Sequence, residues 1–192
     1  NWIGSGIIEW IKHRFYVECC PETCYETMMN EAAGIAPGSN GVFINPDFNS
    51  IQNTLIKGNI GGLTLNTGRA EITRAAFEAL SYQLKMALTV LEQAGNFKAQ
   101  QVICVGGGSK NSFWNQLRAD VLGIPVVTID QKETTVLGAS FFAFTAAGVY
   151  PDPESGKQNI PYNQVITFPS SEVALYTKLY QKWQTTIQLQ TK

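Results

Sequence analysis

Histidine, cysteine and clustered charge are scarce in this sequence, and each scarcity removes a class of function. The 192 residues hold one histidine, His13, and four cysteines. Cys19, Cys20 and Cys24 crowd one end, and Cys104 lies alone in an apolar run. Without C-x2-C spacing or a second ligand pair there is no zinc pattern, and the spacing offers no disulfide framework. The cysteines therefore read as reduced structural thiols, and His13, close to Ile11, Phe15 and Tyr16, as a packing or surface residue. Lys and Arg number 14 against 15 Asp and Glu, a formal net charge of −1, and no basic run occurs. That balance excludes a nucleic acid or an anionic membrane as partner, since both require a long-range positive field. No apolar stretch approaches the roughly 20 residues of a membrane span, and the first ten residues lack the basic start and cleavage site of a signal peptide. A soluble, cytoplasmic protein is expected.

What is present is enough apolar material, 44% of residues, for one good-sized core or two small ones. The sequence opens at Asn1, without an initiator Met, inside an amphipathic helical pattern (Trp2, Ile3, Ile7, Ile8, Trp10, Ile11). An upstream portion is therefore expected. Residues 2–16 and 25–33 read as short helices, followed by a turn-rich stretch over 37–59 with room for a short strand at 41–44. A long helix begins at Arg69, with Ile72, Ala76, Ala79, Leu80, Leu84, Ala87, Leu88 and Leu91 recurring at three and four, Thr67 as candidate N-cap and Gly95 as C-terminal cap. Then come a strand over 101–105, a helix over 112–122 closed by Gly123, a strand over 125–129 and a small-residue helix over 135–147 expected to pack tightly on a sheet. A last helix over 172–189, capped by Ser170 or Ser171, carries Val173, Tyr176, Tyr180, Trp183 and Ile187 on one stripe. Alternating strand and helix predict an α/β fold with helices covering a sheet. No internal repeat or linker divides the chain.

Chemistry concentrates where the strand over 101–105 ends in Gly106, Gly107 and Gly108, followed by Ser109, Lys110 and Asn111. Glycines between a strand and a helix let main chain approach a ligand closely and aim free N–H groups at it. On the glycines alone, a turn required only for tight strand-to-helix packing is an equal reading. A dinucleotide fingerprint from Gly106 fails because Asn111 stands where the third glycine belongs, and a P-loop fails because Lys110 is followed by Asn111.

The stretch Gly106-Gly107-Gly108-Ser109-Lys110-Asn111-Ser112-Phe113-Trp114-Asn115-Gln116, with Ala119-Asp120, Leu122-Gly123-Ile124-Pro125-Val126 and Glu133-Thr134-Thr135-Val136-Leu137-Gly138-Ala139-Ser140, resembles the FGGY carbohydrate kinases. Gly62-Leu63-Thr64-Leu65 and Arg74-Ala75-Ala76-Phe77-Glu78-Ala79-Leu80 extend the resemblance, which covers residues 41–149. It implies an RNase H-like fold of the actin and hexokinase type. It also implies a protein of two such domains, sugar held mainly by the first and ATP with Mg2+ mainly by the second. Residues 1–192 would be the C-terminal, nucleotide-binding domain, the sugar-binding domain lying upstream.

By the same resemblance Gly107, Gly108 and Ser109 would lie against adenine and ribose, Asn111 and Ser112 at the base edge, Gly106 would belong to the same nucleotide-binding set, and Glu133 and Gly138 would sit in a supporting turn and helix. The phosphate loops and the catalytic aspartate would precede Asn1, so this chain is expected to supply no catalytic residue and no metal ligand, and to be inactive alone. Asp47, Asp120 and Asp130 read as turn, helix-surface and strand-end residues, and Lys110 and Arg118 as solvated helix charges. Asn1-Trp2 with Glu9-Trp10, Phe43-Ile44-Asn45-Pro46-Asp47-Phe48 and Leu63-Thr64-Leu65-Asn66-Thr67 resemble family members that phosphorylate a deoxy-ketose, L-fuculose. Kinases of L-rhamnulose and xylulose are the alternatives. Residues 49–54 depart from the family's Gly-Glu-Arg-x-Pro loop, so the resemblance does not carry a direct sugar or phosphate role over to them. Two further readings stand beside the kinase: a non-catalytic nucleotide-binding or interaction module, and a dinucleotide-dependent oxidoreductase disfavoured by Asn111. Apolar surface left by an absent domain, with Trp2 and Ile3 on it, would favour a homo-oligomer.

Overall fold

The computed structural model describes residues 4–47, 58–130, 133–158 and 163–189; Trp2, Ile3 and the loop over 49–54 lie outside them. Helix α1 (Gly4–Phe15) buries Ile7, Ile8 and Ile11, and α2 (Cys24–Ala33) buries Cys24, Met28 and Ala32, one turn apart on a single face. A short 3-10 turn at Ser39–Gly41 leads into strand β1 (Phe43–Asn45), which pairs antiparallel with β2 (Asn59–Gly61).

The long helix α3 (Arg69–Gly95) is the centre of the molecule. From Ile72 to Tyr82 every residue is buried, because α1, α2, β1 and the helix Ser112–Leu122 pack around it and its alanines let them come close. Beyond Tyr82 the helix runs out of the core, and Leu91, expected on the buried stripe, is exposed. Both expected caps move by one residue. Gly68 is the N-cap, its N–H bonded to the Glu71 carboxylate at 3.0 Å, while Thr67 Oγ1 accepts from the Thr64 N–H at 2.9 Å. At the other end Gly95 is the last helical residue and Asn96 turns left-handed (φ 49°), a conformation asparagine tolerates better than most residues.

Strand β3 (Val102–Cys104) leads through the glycine turn to α4 (Ser112–Leu122) and back to β4 (Val126–Ile129), which lies parallel to β3. Strand β5 (Gln164–Thr167) adds antiparallel on the other side of β4, giving the order β3-β4-β5. Gly123 closes α4 at φ 74°, as expected. The small-residue helix α5 (Thr134–Ala146) departs from expectation: none of its residues is buried, and its main contact is α6 (Pro153–Gln158). There Gly156 admits Phe141 and Tyr150, atoms of which would lie 2.9 and 3.0 Å from an added Cβ. Helix α7 (Val173–Leu189) docks by Tyr176, Tyr180 and Trp183. Trp183 Nε1 donates to the Ile44 carbonyl at 2.8 Å, and Ser170 Oγ accepts from the Glu172 N–H at 3.1 Å ahead of the helix.

Several polar groups are buried, each with partners. Arg74 donates to Glu78 (3.0 Å), to the Ala32 carbonyl (3.1 Å) and to Tyr176 Oη (2.7 Å), tying α2, α3 and α7 together. Asp120, expected on the helix surface, is buried and accepts from the Ser170 N–H (2.6 Å) and Gln116 (3.0 Å). All four cysteines are free thiols, and His13 is exposed, 3.4 Å from Glu9. Among the described residues no helix is long and apolar enough to cross a membrane.

Candidate functional site

The glycine turn begins at Gly106, whose φ of 83° and ψ of −170° are open to glycine alone. Gly107–Lys110 then form one 3-10 turn, and Asn111 caps α4, its Oδ1 accepting from the Trp114 N–H at 3.1 Å. A side chain added at Gly106 or Gly107 would meet nothing within 4 Å, whereas at Gly108 it would lie 3.0 Å from Trp114 and 3.4 Å from Arg118. Tight strand-to-helix packing therefore does not account for the first two glycines. They present bare backbone to open space.

Behind the turn, α4 supplies its support. Asn115 Nδ2 donates to the Ser109 carbonyl at 2.7 Å, and Arg118 Nη1 donates to the Gly108 carbonyl at 3.3 Å and to Asn115 Oδ1 at 3.0 Å. The guanidinium lies 3.6 Å from the centre of the Trp114 ring, a cation–π stack. Arg118 is thus a packed group and not the solvated charge its position in the sequence suggested. Burial pulls its pKa down, and burial likewise pushes the nearby Cys104 thiol up, so Cys104 stays neutral and Arg118, an arginine, stays charged. Ser109 closes the turn on itself, donating from both N–H (3.1 Å) and Oγ (2.7 Å) to the Gly106 carbonyl.

In front of the turn lies a cleft of about 970 Å3. One wall is Gly107, Gly108, Asn111, Ser112, Phe113 and Trp114; the facing wall is Ile8 of α1 with Tyr25, Met29, Asn30 and Ala33 of α2. Phe77 of α3 joins them, 5.1 Å from the Trp114 ring and 5.9 Å from that of Phe113. Asn111 Nδ2 contacts Met29 Sδ, so the two walls meet there. Burial raises the Tyr25 hydroxyl well above its ordinary pKa, with Glu9 hydrogen-bonded to it, and it remains a protonated donor. Size, apolar walls and a few convergent polar groups are the properties of a small-molecule site. A smaller hollow of about 340 Å3 lies at the carboxyl ends of β3 and β4, lined by Gly106, Ser109, Ser112, Asn115 and Asp130 among others.

The structure thus distributes the residues singled out in the sequence between two hollows. Gly107, Gly108 and Asn111 line the large cleft, Gly106 and Ser109 the small one, and Ser112 both. Lys110 also lines both. Glu133 precedes α5, its carbonyl accepting from the Leu137 N–H at 2.9 Å, and Gly138 has open space beside it. Asp130 takes two hydrogen bonds from Asn163, at 3.0 and 2.8 Å. The α2 wall was not singled out in the sequence. Its signal was the spacing of Tyr25, Met29 and Ala33, one position after the buried set Cys24, Met28 and Ala32.

Comparison with known proteins bears on the family and the fold. Residues 2–147 match the model of the C-terminal domain of the FGGY family of carbohydrate kinases. An L-fuculokinase of Escherichia coli is 40% identical over 172 residues, 90% of this chain and 35% of its own; the chain thus spans about a third of that relative's length. Among solved structures, a xylulose kinase from Rhodospirillum rubrum superposes with a TM-score of 0.81 at 21% identity, covering 95% of this chain and 37% of its own. A Plasmodium falciparum glycerol kinase, solved with ADP, superposes with a TM-score of 0.78 at 20% identity over 98% of this chain and 37% of its own. These two show the shared fold, that of the actin and hexokinase type of ATPase. With the family model spanning three quarters of the residues and an L-fuculokinase 40% identical over 90% of the chain, the chain belongs to the FGGY family of carbohydrate kinases.

Proposed function

We propose that residues 1–192 are the C-terminal, nucleotide-binding domain of a cytoplasmic two-domain kinase that phosphorylates L-fuculose to L-fuculose 1-phosphate with MgATP. The observation that carries the nucleotide part is the cleft in front of the open glycines: bare backbone on one wall, apolar side chains on the other, and Asn111 and Ser112 at the start of α4. Adenine fits such a place, since a purine is flat, apolar on its faces and polar at its edge, and Asn and Ser both donate and accept there. Gly107 and Gly108 would lie against adenosine with Asn111 and Ser112 at the base edge, and Gly106 and Ser109 would hold the turn's far side. The sugar part is supported by the 40% identity to an L-fuculokinase. L-rhamnulose or xylulose is the alternative substrate, and a nucleotide-binding module without catalysis is the alternative role.

ATP supplies the phosphoryl group: the sugar's primary hydroxyl oxygen would attack the terminal phosphorus as the bond to ADP breaks, its proton passing to the aspartate expected in the upstream domain. Residues of this chain would bind and orient the adenosine end, which holds the nucleotide for in-line transfer. Asp120 and Asp130 already accept hydrogen bonds within the fold, so neither is placed as the proton acceptor. Among the described residues no group of three His, Cys, Asp or Glu side chains could hold a metal ion. Magnesium, which one or two carboxylates commonly hold together with phosphate oxygens, would arrive with the phosphates of the nucleotide.

The test is a coupled kinase assay on the whole polypeptide that carries this chain, offered L-fuculose, L-rhamnulose and D-xylulose in turn. Turnover highest with L-fuculose is expected. Preference for another ketose would move the substrate, and no turnover with any sugar would leave the non-catalytic module.

A further inference from the structure

Three consecutive glycines at the end of a strand have more backbone freedom than any other tripeptide, and a ligand that must order them binds more weakly for it. Here the turn is ordered before any ligand arrives. Two side chains of α4 reach back to adjacent carbonyl oxygens, Arg118 to Gly108 (3.3 Å) and Asn115 to Ser109 (2.7 Å), and bond to each other at 3.0 Å. Because each peptide unit is planar and trans, fixing these carbonyls also fixes the directions of the Ser109 and Lys110 N–H groups.

The two holders are themselves held. Asn115 is buried. Arg118 lies flat against Trp114, and Trp114 Nε1 donates to Ser81 Oγ at 3.2 Å, in the fully buried stretch of α3. A series of contacts thus runs from the core of the domain to the backbone that walls the cleft. The cleft side of the same turn, at Gly107, stays open.

We infer that Asn115 and Arg118 are positioning residues for the nucleotide, setting the shape of the glycine turn from behind so that adenosine meets a preformed wall. The inference rests on the reading of the large cleft as the adenosine site. Neither residue touches the ligand through its functional group; both act through backbone.

Two near-isosteric variants of the whole chain separate this role from mere folding. Asn115→Asp keeps the shape and the partner for Arg118 but sets a carboxylate oxygen against the Ser109 carbonyl. Arg118→Lys keeps the charge but loses the planar fork and the stack on Trp114. Affinity for adenosine and for MgATP is measured by calorimetry at a temperature where each variant's near-ultraviolet circular dichroism matches the parent. Hydrogen exchange of the amides of residues 107–110 is followed alongside. Each substitution is expected to weaken adenosine and ATP by the same factor, about tenfold, and to speed exchange in the turn. The double variant should lose less than the product of the two, since both act on one turn. If the parent binds nucleotide and both variants bind it equally well, or if affinity falls while exchange in the turn is unchanged, the positioning role is overturned and the cleft reading stands. If the parent binds no adenine nucleotide, both fall.

Discussion

Replacing Arg74 by methionine should destabilise this domain strongly, and should do so in a pH-dependent way. The Arg74 and Glu78 side chains are only 7% and 4% exposed. Glu78 also accepts from the Gly38 N–H and Ser39 Oγ, both at 2.9 Å. Arg74→Met leaves that carboxylate buried with neutral donors only and strips the Ala32 carbonyl and Tyr176 of a partner. Breaking a buried pair from one side costs about 3–5 kcal/mol, which for a chain of this size lowers Tm by roughly 10 °C. Burial pushes the Glu78 carboxyl above its ordinary value of 4.5, while Gly38, Arg74 and Ser39 pull it back. Without Arg74 the folded value rises further. Between 4.5 and that raised value the folded state keeps a proton that the unfolded state releases, so stability falls as pH rises through the window. The deficit of the variant relative to the parent should therefore be smallest below pH 4.5 and grow toward neutrality. Urea titrations from pH 4 to 8 measure it. Arg74→Met/Glu78→Gln should recover at least half of the loss, since no charge is left buried. A deficit below about 1 kcal/mol, or one independent of pH, would refute the reasoning.

Two further perturbations probe other links. Arg69 bonds Glu31 at 2.6 and 2.9 Å and holds its carboxyl below the usual range. This stability is present above pH 4.5 and is lost as pH falls through the depressed value; Arg69→Met should cost about 1 kcal/mol at pH 7 and the difference from the parent should vanish in acid. Gly106→Ala forces a side chain onto a glycine-only conformation although space is free around it, so it should cost about 1–3 kcal/mol in a denaturant titration.

How much of this was legible in the sequence follows the range of the forces involved. Helix α4 could be bounded to the residue because its caps are local: Asn111 Oδ1 accepts from the N–H of Trp114 in the first turn, and Gly123 provides the left-handed exit. The glycine turn was legible for the same reason. Arg69 was read as the start of α3, but both caps were placed one residue off, because Gly68 and Asn96 compete with Thr67 and Gly95 for the same roles; the bond from Gly68 to Glu71 decides the first of them. Strands β2 and β5 went unread: Asn59–Gly61 and Gln164–Thr167 have no strong pattern of their own and are defined by pairing with β1 and β4. Asp120 and Arg118 were placed at the surface because their partners, Ser170 and Gly108, stand 50 and 10 residues away. For the candidate site, one wall was visible and the other was not. The α2 wall carries ordinary helical residues whose meaning comes only from facing the glycine turn.

The measurement that tests the central claim most directly is calorimetric titration of this chain, and of its Gly108→Leu variant, with MgATP up to millimolar concentration. A leucine at position 108 would run into Trp114 and Arg118 and so displace the wall of the cleft. Saturable binding of one nucleotide by the parent, abolished in a variant that keeps the parent's far-ultraviolet circular dichroism, is the predicted result. Binding that survives the substitution unchanged, or a parent that binds NAD in preference to ATP, would contradict the account.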